Sequence, residues 1–76
     1  MINNIFISRP HTYNMNVEDG RLASAGPAKL TSPTGVEPGV IIRRGSQINL
    51  VIPEHDAIRL ANEIADALDE LHHSAP

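Results

Sequence analysis

Four histidines are the residues of this 76-residue chain best suited to hold a metal ion: His11, His55, His72 and His73. His72 and His73 are adjacent, so on a helix their rings point about 100° apart and do not face one ion. His55 lies roughly 25 Å from them along such a helix, at about 1.5 Å per residue. Because the chain also has no cysteine to supply a thiolate ligand, we expect no metal site and no cofactor.

Carboxylates and hydroxyls are the other catalytic candidates. Asp66, Asp69 and Glu70 are close neighbours on a helix and could act as a general acid and base. They fall on the polar side of that helix, where a solvated surface is the simpler interpretation. None of the serines lies in the sequence context of a nucleophile elbow. A domain of this size has little room for a substrate pocket of about 300 Å³ or more, so we expect no enzyme.

Arginines offer a third chemistry, the binding of nucleic-acid phosphates. Arg43 and Arg44 lie at the tip of a predicted hairpin, with Arg9 as a companion. A two-stranded ribbon of this kind can enter the major groove of DNA. The net charge of −3 and the lack of Trp argue against phosphate binding and against base stacking. A DNA-binding regulator that uses these three arginines is the alternative, and solubilising surface arginines are the favoured interpretation.

The stretch of residues 53–73 has the strongest secondary-structure signal and predicts an amphipathic helix. Its apolar residues, which cover about half of the helical circumference, are Ala57, Ile58, Leu60, Ala61, Ile64, Ala65, Ala67, Leu68 and Leu71. Pro53 suits the first turn, because the N–H that it lacks would have no partner there. The acidic residues of the opposite face either solvate the helix or orient a partner electrostatically.

Residues 39–52 predict a β-hairpin that leads directly into this helix. Gly45-Ser46 fits a two-residue type II′ turn, which places glycine first. In that register the face expected against the helix carries Ile48, Leu50 and Ile52, and the opposite face carries Val40, Ile42 and Val51. The second face is too apolar for free exposure, so it needs another segment or a partner chain to cover it.

Residues 1–18 predict a first hairpin and residues 19–38 a flexible loop. The segment 4–9 is rich in β-branched and aromatic side chains, and the segment 13–17 alternates apolar and polar residues as a half-buried strand does. The stretch that follows holds three glycines, three prolines and only three large apolar side chains. Loops of this length in a compact domain are usually functional or disordered.

Together these elements predict one α+β domain over residues 1–76. The expected architecture is an antiparallel sheet of two β-hairpins joined by a long loop, with one C-terminal helix packed on the sheet (ββ–loop–ββα). A 76-residue chain buries only about 60% of the surface that its unfolded form exposes, and no disulfide is available to compensate. A second copy of the chain would supply the missing buried area, so we expect a homodimer.

Two interpretations of the wide apolar arc of the helix stay open. Either a single sheet covers all of it, or one edge faces the hairpin while the other meets a second copy; the edge facing the hairpin would be Leu60, Ile64, Ala67 and Leu71. The interaction residues that follow from the second case and from the uncovered sheet face are Val40, Ile42, Val51, Ile58, Ala61, Ala65 and Leu68. The predicted function is a small protein-interaction module, homodimeric, that serves a protein partner as an accessory or regulatory protein.

The run VIIRRGSQINLVIPEHDAIRLANEIADALD, residues 40–69, carries a resemblance. Its helix begins Pro-Glu-x-x-Ala-x-x-Leu-Ala, and it resembles short proteins of actinobacteria and their phages in which a hairpin leads into such a helix. The resemblance covers less than half of the chain. It implies an accessory protein of bacterial or phage origin, and it brings no catalytic or binding residues with it.

Targeting signals are the last feature that the sequence addresses. No basic segment leading into an apolar run of signal-peptide length follows Met1. No apolar stretch approaches the roughly 20 residues that a membrane span needs. We therefore expect a cytoplasmic protein that does not enter a membrane.

Overall fold

The structure, a computed structural model, describes residues 5–74 and contains two α-helices and one three-stranded sheet. A short 3₁₀ turn at Pro10–Thr12 leads into helix α1 (Tyr13–Leu22), and the sheet follows as β1 (Ala23–Ser32), β2 (Gly35–Arg44) and β3 (Gln47–Pro53). Helix α2 (Glu54–Ser74) ends the described part. The sheet is antiparallel with β2 in the centre. The predicted α+β class is thus confirmed.

The predicted second hairpin and the C-terminal helix are both present. Gly45 has a φ of 62°, and no non-glycine residue in the described part has a positive φ, which is the combination that a type II′ turn at Gly45-Ser46 requires. Helix α2 begins one residue later than predicted, because Pro53 still pairs with Gly39 as the last residue of β3. Strand β2 begins at Gly35, four residues before the predicted hairpin.

The register of this hairpin contains a β-bulge that the sequence did not reveal. Near the turn the observed pairs are the predicted ones, Arg44 with Gln47 and Arg43 with Ile48. The next pair is Ile42 with Leu50, so Asn49 is the extra residue in β3. A slip of one residue exchanges the two faces of a strand. All pairs beyond Asn49 therefore differ from the prediction.

The bulge corrects the predicted faces of the sheet. Val40 now pairs with Ile52, and both share a face with Ile42 and Leu50. Val51 pairs with Ile41 on the opposite face. The prediction that Val40, Ile42 and Val51 form one face away from the helix is therefore wrong. The alternation of residues along each strand was predicted correctly, but the extra residue Asn49 in β3 changed which residues of β3 share a face with Val40 and Ile42.

The prediction of a flexible loop over residues 19–38 is also wrong, since most of it is strand β1 and the start of β2. The residues Ser32-Pro33-Thr34-Gly35 have proline second and glycine fourth, as a type I turn prefers. Ser32 Oγ accepts a hydrogen bond from the Thr34 N–H at 3.3 Å and donates one to the Gly35 carbonyl at 2.9 Å. Strand β1 consists mostly of small residues, which have low β propensity, so its sequence does not predict a strand. Pro27 is compatible with β1 because β1 is an edge strand.

The predicted first hairpin is absent from the described residues. Tyr13–Leu22 is helical, residues 5–9 form no strand, and residues 1–4 of the predicted segment lie outside the described part. Pro10 stands at the start of the 3₁₀ turn, where its fixed φ is favourable. The Thr12 hydroxyl donates to the Arg9 carbonyl at 2.8 Å. The predicted layout of two hairpins is therefore not confirmed: helix α1 and a three-stranded meander stand in its place.

Residues 5–74 enclose no core of their own. None of the residues whose side chains the structure describes is buried. The radius of gyration is 15.7 Å, against about 11 Å for a compact domain of this length. The accessible surface is 6401 Å², against about 4,500 Å² for a folded monomer of this mass. Residues 10–74 all lie in helices, strands or the turns that join them, but most of the large apolar side chains that the structure describes are exposed.

The close approach of Gly39 in β2 to Leu30 in β1 and Ile52 in β3 provides a test of the fold. A methyl group at Gly39 would meet Leu30 Cδ1 and the carbonyl oxygen of Ile52. We expect Gly39→Ala to lower the free energy of unfolding by about 1–3 kcal/mol, because β2 and β3 must separate to admit it. Gly26→Ala is the matched control, since its nearest neighbour is Ile41 Cγ2 at 4.0 Å. Urea unfolding at one protein concentration measures both; equal midpoints would contradict the described approach of the two strands.

Candidate interaction surface

An apolar groove lies between helix α2 and the sheet, with a volume of about 270 Å³. Its lining residues come from all three strands and from the first half of α2: Ala25, Val40, Ile42, Ile52, Ala57, Leu60, Ala61 and Ile64. Every one of them is aliphatic, so the groove offers no hydrogen-bonding group from a side chain. Its volume falls below the range of about 300–1,000 Å³ typical of small-molecule sites. The groove therefore suits apolar side chains better than a substrate.

The bulge places two of the predicted interaction residues inside this groove. Val40 and Ile42 are half-buried and face α2, rather than lying on a separate outer face. Val51 lies on the opposite face of the sheet, beside Ile41, and is 42% exposed. The sheet thus has apolar residues on both faces, and the predicted set is divided between them.

Helix α2 carries the remaining predicted interaction residues, of which Ala61 also lines the groove. Ile58 and Leu68 are 57% and 55% exposed, and Ala61 and Ala65 are exposed as well. Every described side chain from Ala61 to His73 is exposed. The helix spans 21 residues, or roughly 31 Å at about 1.5 Å per residue. Its first half lines the groove, so the second half extends an apolar face beyond it.

The predicted edge that faces the hairpin is only partly confirmed. Leu60 and Ile64 line the groove against the sheet. Ala67 and Leu71 instead meet the N-terminal segment, where together with Glu70 they border a shallow cavity of about 250 Å³ against Ile5 and Phe6. Phe6 is 89% exposed. The N-terminal segment therefore shields the end of the helix poorly.

The arginines of the DNA alternative do not converge on one surface. Arg44 Nε donates to Asp19 Oδ1 at 2.6 Å and joins helix α1 to the end of β2, next to the bond from the Gly45 N–H to the Leu22 carbonyl at 3.0 Å. Arg43 is the preceding residue of the same strand, so its side chain points from the other face. Arg9 is exposed before the 3₁₀ turn. This arrangement does not favour a phosphate-binding ribbon.

The histidines and carboxylates form local pairs on helix α2. His73 Nε2 lies 3.4 Å from Asp69 Oδ1, and His55 Nε2 lies 3.6 Å from Asp56 Oδ2. Arg59 Nη1 donates to Glu63 Oε2 at 3.0 Å. Within residues 5–74 no three side chains of the His, Cys, Asp and Glu types come together in a way that would hold a metal ion. Arg59 Nη2 also lies 3.8 Å from Asp56 Oδ1, so His55, Asp56, Arg59 and Glu63 form a chain of ion pairs along one helix face.

Comparison with protein-family models, with curated proteins and with solved structures finds no match to this chain. Neither described helix combines the length and the apolar character needed to cross a membrane. The surfaces of the described residues that are available to a partner are the groove and the exposed apolar face of α2.

The separation of Arg43 from Arg44 generates a prediction about DNA. We expect no tight, salt-sensitive binding of mixed-sequence duplex DNA at low salt. Arg44 is paired with Asp19, and Arg43 lies on the opposite face of the strand from Arg44. A gel shift with the wild-type chain measures this, and the variant Arg43→Ala/Arg44→Ala is the control. Tight binding that the double variant loses would instead support the DNA-binding alternative.

Proposed function

We propose that this chain is a non-catalytic protein-interaction module that works as a homodimer, in an accessory or regulatory role toward another protein. The single observation that carries the proposal is the absence of buried side chains among those the structure describes, although residues 10–74 are folded into helices, strands and turns. A groove of aliphatic residues and a long apolar helix face remain to be covered. A surface from a second molecule supplies that cover.

The amount of apolar surface supports association on energetic grounds. Full burial of one Leu or Ile side chain contributes about 1.5–3 kcal/mol, and Ile58, Ile64 and Leu68 are each more than half exposed. The accessible surface of 6401 Å² exceeds that of a compact monomer by more than the roughly 800 Å² per partner that a standard interface buries. One dimer interface is therefore within the area that the chain has to cover.

The edges of the sheet favour association through faces rather than through added strands. Pro27 interrupts the row of N–H donors on the outer strand β1. The bulge at Asn49 disturbs the other outer strand, β3. Proline and bulges at edges are common means by which proteins avoid edge-to-edge pairing. The helix and the groove are thus the surfaces available to a second copy.

The oligomeric state is the first test of this proposal. We expect size-exclusion chromatography with light scattering to give twice the chain mass of 8.2 kDa. Leu68→Glu should raise the dimer dissociation constant by at least about tenfold, because each 1.4 kcal/mol of lost burial corresponds to a factor of ten. Val51→Glu is the control: it places the same charge at a similarly exposed residue on the outer sheet face and should leave the mass unchanged. A monomer mass at all concentrations would overturn the proposal.

Folding should be coupled to association. When the monomer has no core, its stability depends on protein concentration through the dimer equilibrium. We expect the urea midpoint of the wild-type chain to rise as the concentration is raised from the low micromolar to the near-millimolar range. Circular dichroism at 222 nm measures this, since α2 reports on folding. A midpoint that stays constant across that range would show that one chain is stable alone.

A further inference from the structure

A straight seam runs along the exposed side of helix α2. Its residues follow one another at alternating intervals of four and three positions, which is the 3.5-residue repeat of a helix–helix seam. They are Glu54, Ile58, Ala61, Ala65, Leu68 and His72. All six are exposed, so the seam is accessible to a second molecule, and Ala61 lies where the seam adjoins the groove.

The residue types of this seam read the same from both ends. From each end inward there is a titratable residue, then a large aliphatic one, then an alanine, and the centre of the pattern is residue 63. An interface with two-fold symmetry pairs residue i with residue j and residue j with residue i. A helix that pairs with its own copy in the opposite direction meets this condition when the pattern is symmetric about one point.

Resting on the homodimer proposed above, we infer that the two α2 helices of the dimer run antiparallel and pack through this seam. Ile58 then meets Leu68 of the partner subunit, and Ala61 meets Ala65 of the partner subunit. Small residues at the centre allow the helix axes to approach to the lower end of the usual 8–10 Å. The two larger pairs lie on either side of the crossing and close the interface around it.

The residues at the ends of the seam favour the antiparallel orientation. In it, Glu54 faces His72 of the partner subunit at both ends of the interface. In a parallel pair the two Glu54 carboxylates would face each other, which is unfavourable. Antiparallel helices also place the positive end of each helix dipole beside the negative end of the other. The polar residues beside the seam also favour the antiparallel orientation, because it places His55 beside Asp69 of the partner subunit.

The other flank of the seam explains how the groove is covered. Ala57, Ile64 and Leu71 border the seam on the side of the sheet, and the first two line the groove. In the antiparallel pair, Leu71 of the partner subunit lies against Ala57 at the mouth of the groove. The second half of each helix, which extends beyond its own groove, thus covers the groove of the other chain.

Cysteine cross-linking tests the orientation, because the chain contains no native cysteine. Ile58→Cys and Leu68→Cys are prepared singly, mixed, unfolded together, refolded and oxidised. A disulfide needs Cβ atoms about 3.5–4.5 Å apart. We expect the mixture to give the mixed disulfide and each variant alone to give at least about tenfold less cross-linked dimer, since in an antiparallel pair two identical positions lie roughly 15 Å apart along the axis. Glu63→Cys, on the opposite side of the helix, is the control and should not cross-link.

A second pair of positions keeps the test independent of the apolar contacts. His55 and Asp69 have side chains 84% and 73% exposed, so His55→Cys and Asp69→Cys remove no apolar contact. We expect a short bis-maleimide to join the two variants to each other in preference to joining like with like. Light scattering under reducing conditions first establishes that each variant is a dimer.

The outcomes separate the two proposals. Like-with-like cross-links from both pairs in a dimeric sample would overturn the antiparallel seam and leave the homodimer standing. Dimers that cross-link at neither pair would overturn the seam as well, since they must associate through other surfaces. A monomer mass for the wild-type chain would overturn both proposals at once.

Discussion

The constraint on which the structure depends is the mismatch between the apolar face of α2 and the sheet beneath it. The first half of the helix lines a groove with Val40, Ile42 and Ile52, but every described side chain from Ala61 onward is exposed. Ile5 and Phe6 border a shallow cavity beside the last turns of the helix and are 50% and 89% exposed. Hydrophobic burial is the main favourable term in folding. Among the apolar residues of α2 only Ala57 and Leu60 are half-buried, so the helix has realised only part of the stabilisation that its sequence can supply.

The sequence predicted those elements whose signals are local and strong. The apolar period of 3.6 located α2 to within one residue, and Gly45-Ser46 located the turn between β2 and β3. The α+β class follows from these two elements alone. The division of the helix arc into a sheet-facing part and an exposed part was also accessible, because Leu60 and Ile64 do lie in the groove. These local signals therefore recovered the elements of the C-terminal half of the fold, but not the register between its two strands.

Other elements depend on interactions that a pattern of residues does not contain. The alternation of Tyr13, Met15 and Val17 is typical of a strand, but so short a stretch is also compatible with a helix. The 3₁₀ turn at Pro10–Thr12 leads directly into helix α1. Strand β1 holds mostly small residues, and its pairing with β2 through backbone hydrogen bonds decides its state. Its turn could have been recognised from Ser32-Pro33-Thr34-Gly35. The bulge at Asn49 had no comparable signal, and it alone moved Val40 and Ile42 into the groove.

The correction of those faces strengthens the argument for association instead of removing it. With Val40 and Ile42 on an outer face, the helix would have packed on Ile48, Leu50 and Ile52, and the partner would have been needed on the far side of the sheet. With the bulge, the helix and the groove lie on the same side, and both still leave apolar atoms in water. One partner surface on that side can cover the two together. A second α2 helix has the length, the apolar face and the symmetric order of residue types to do so, and this is the basis of the proposed homodimer.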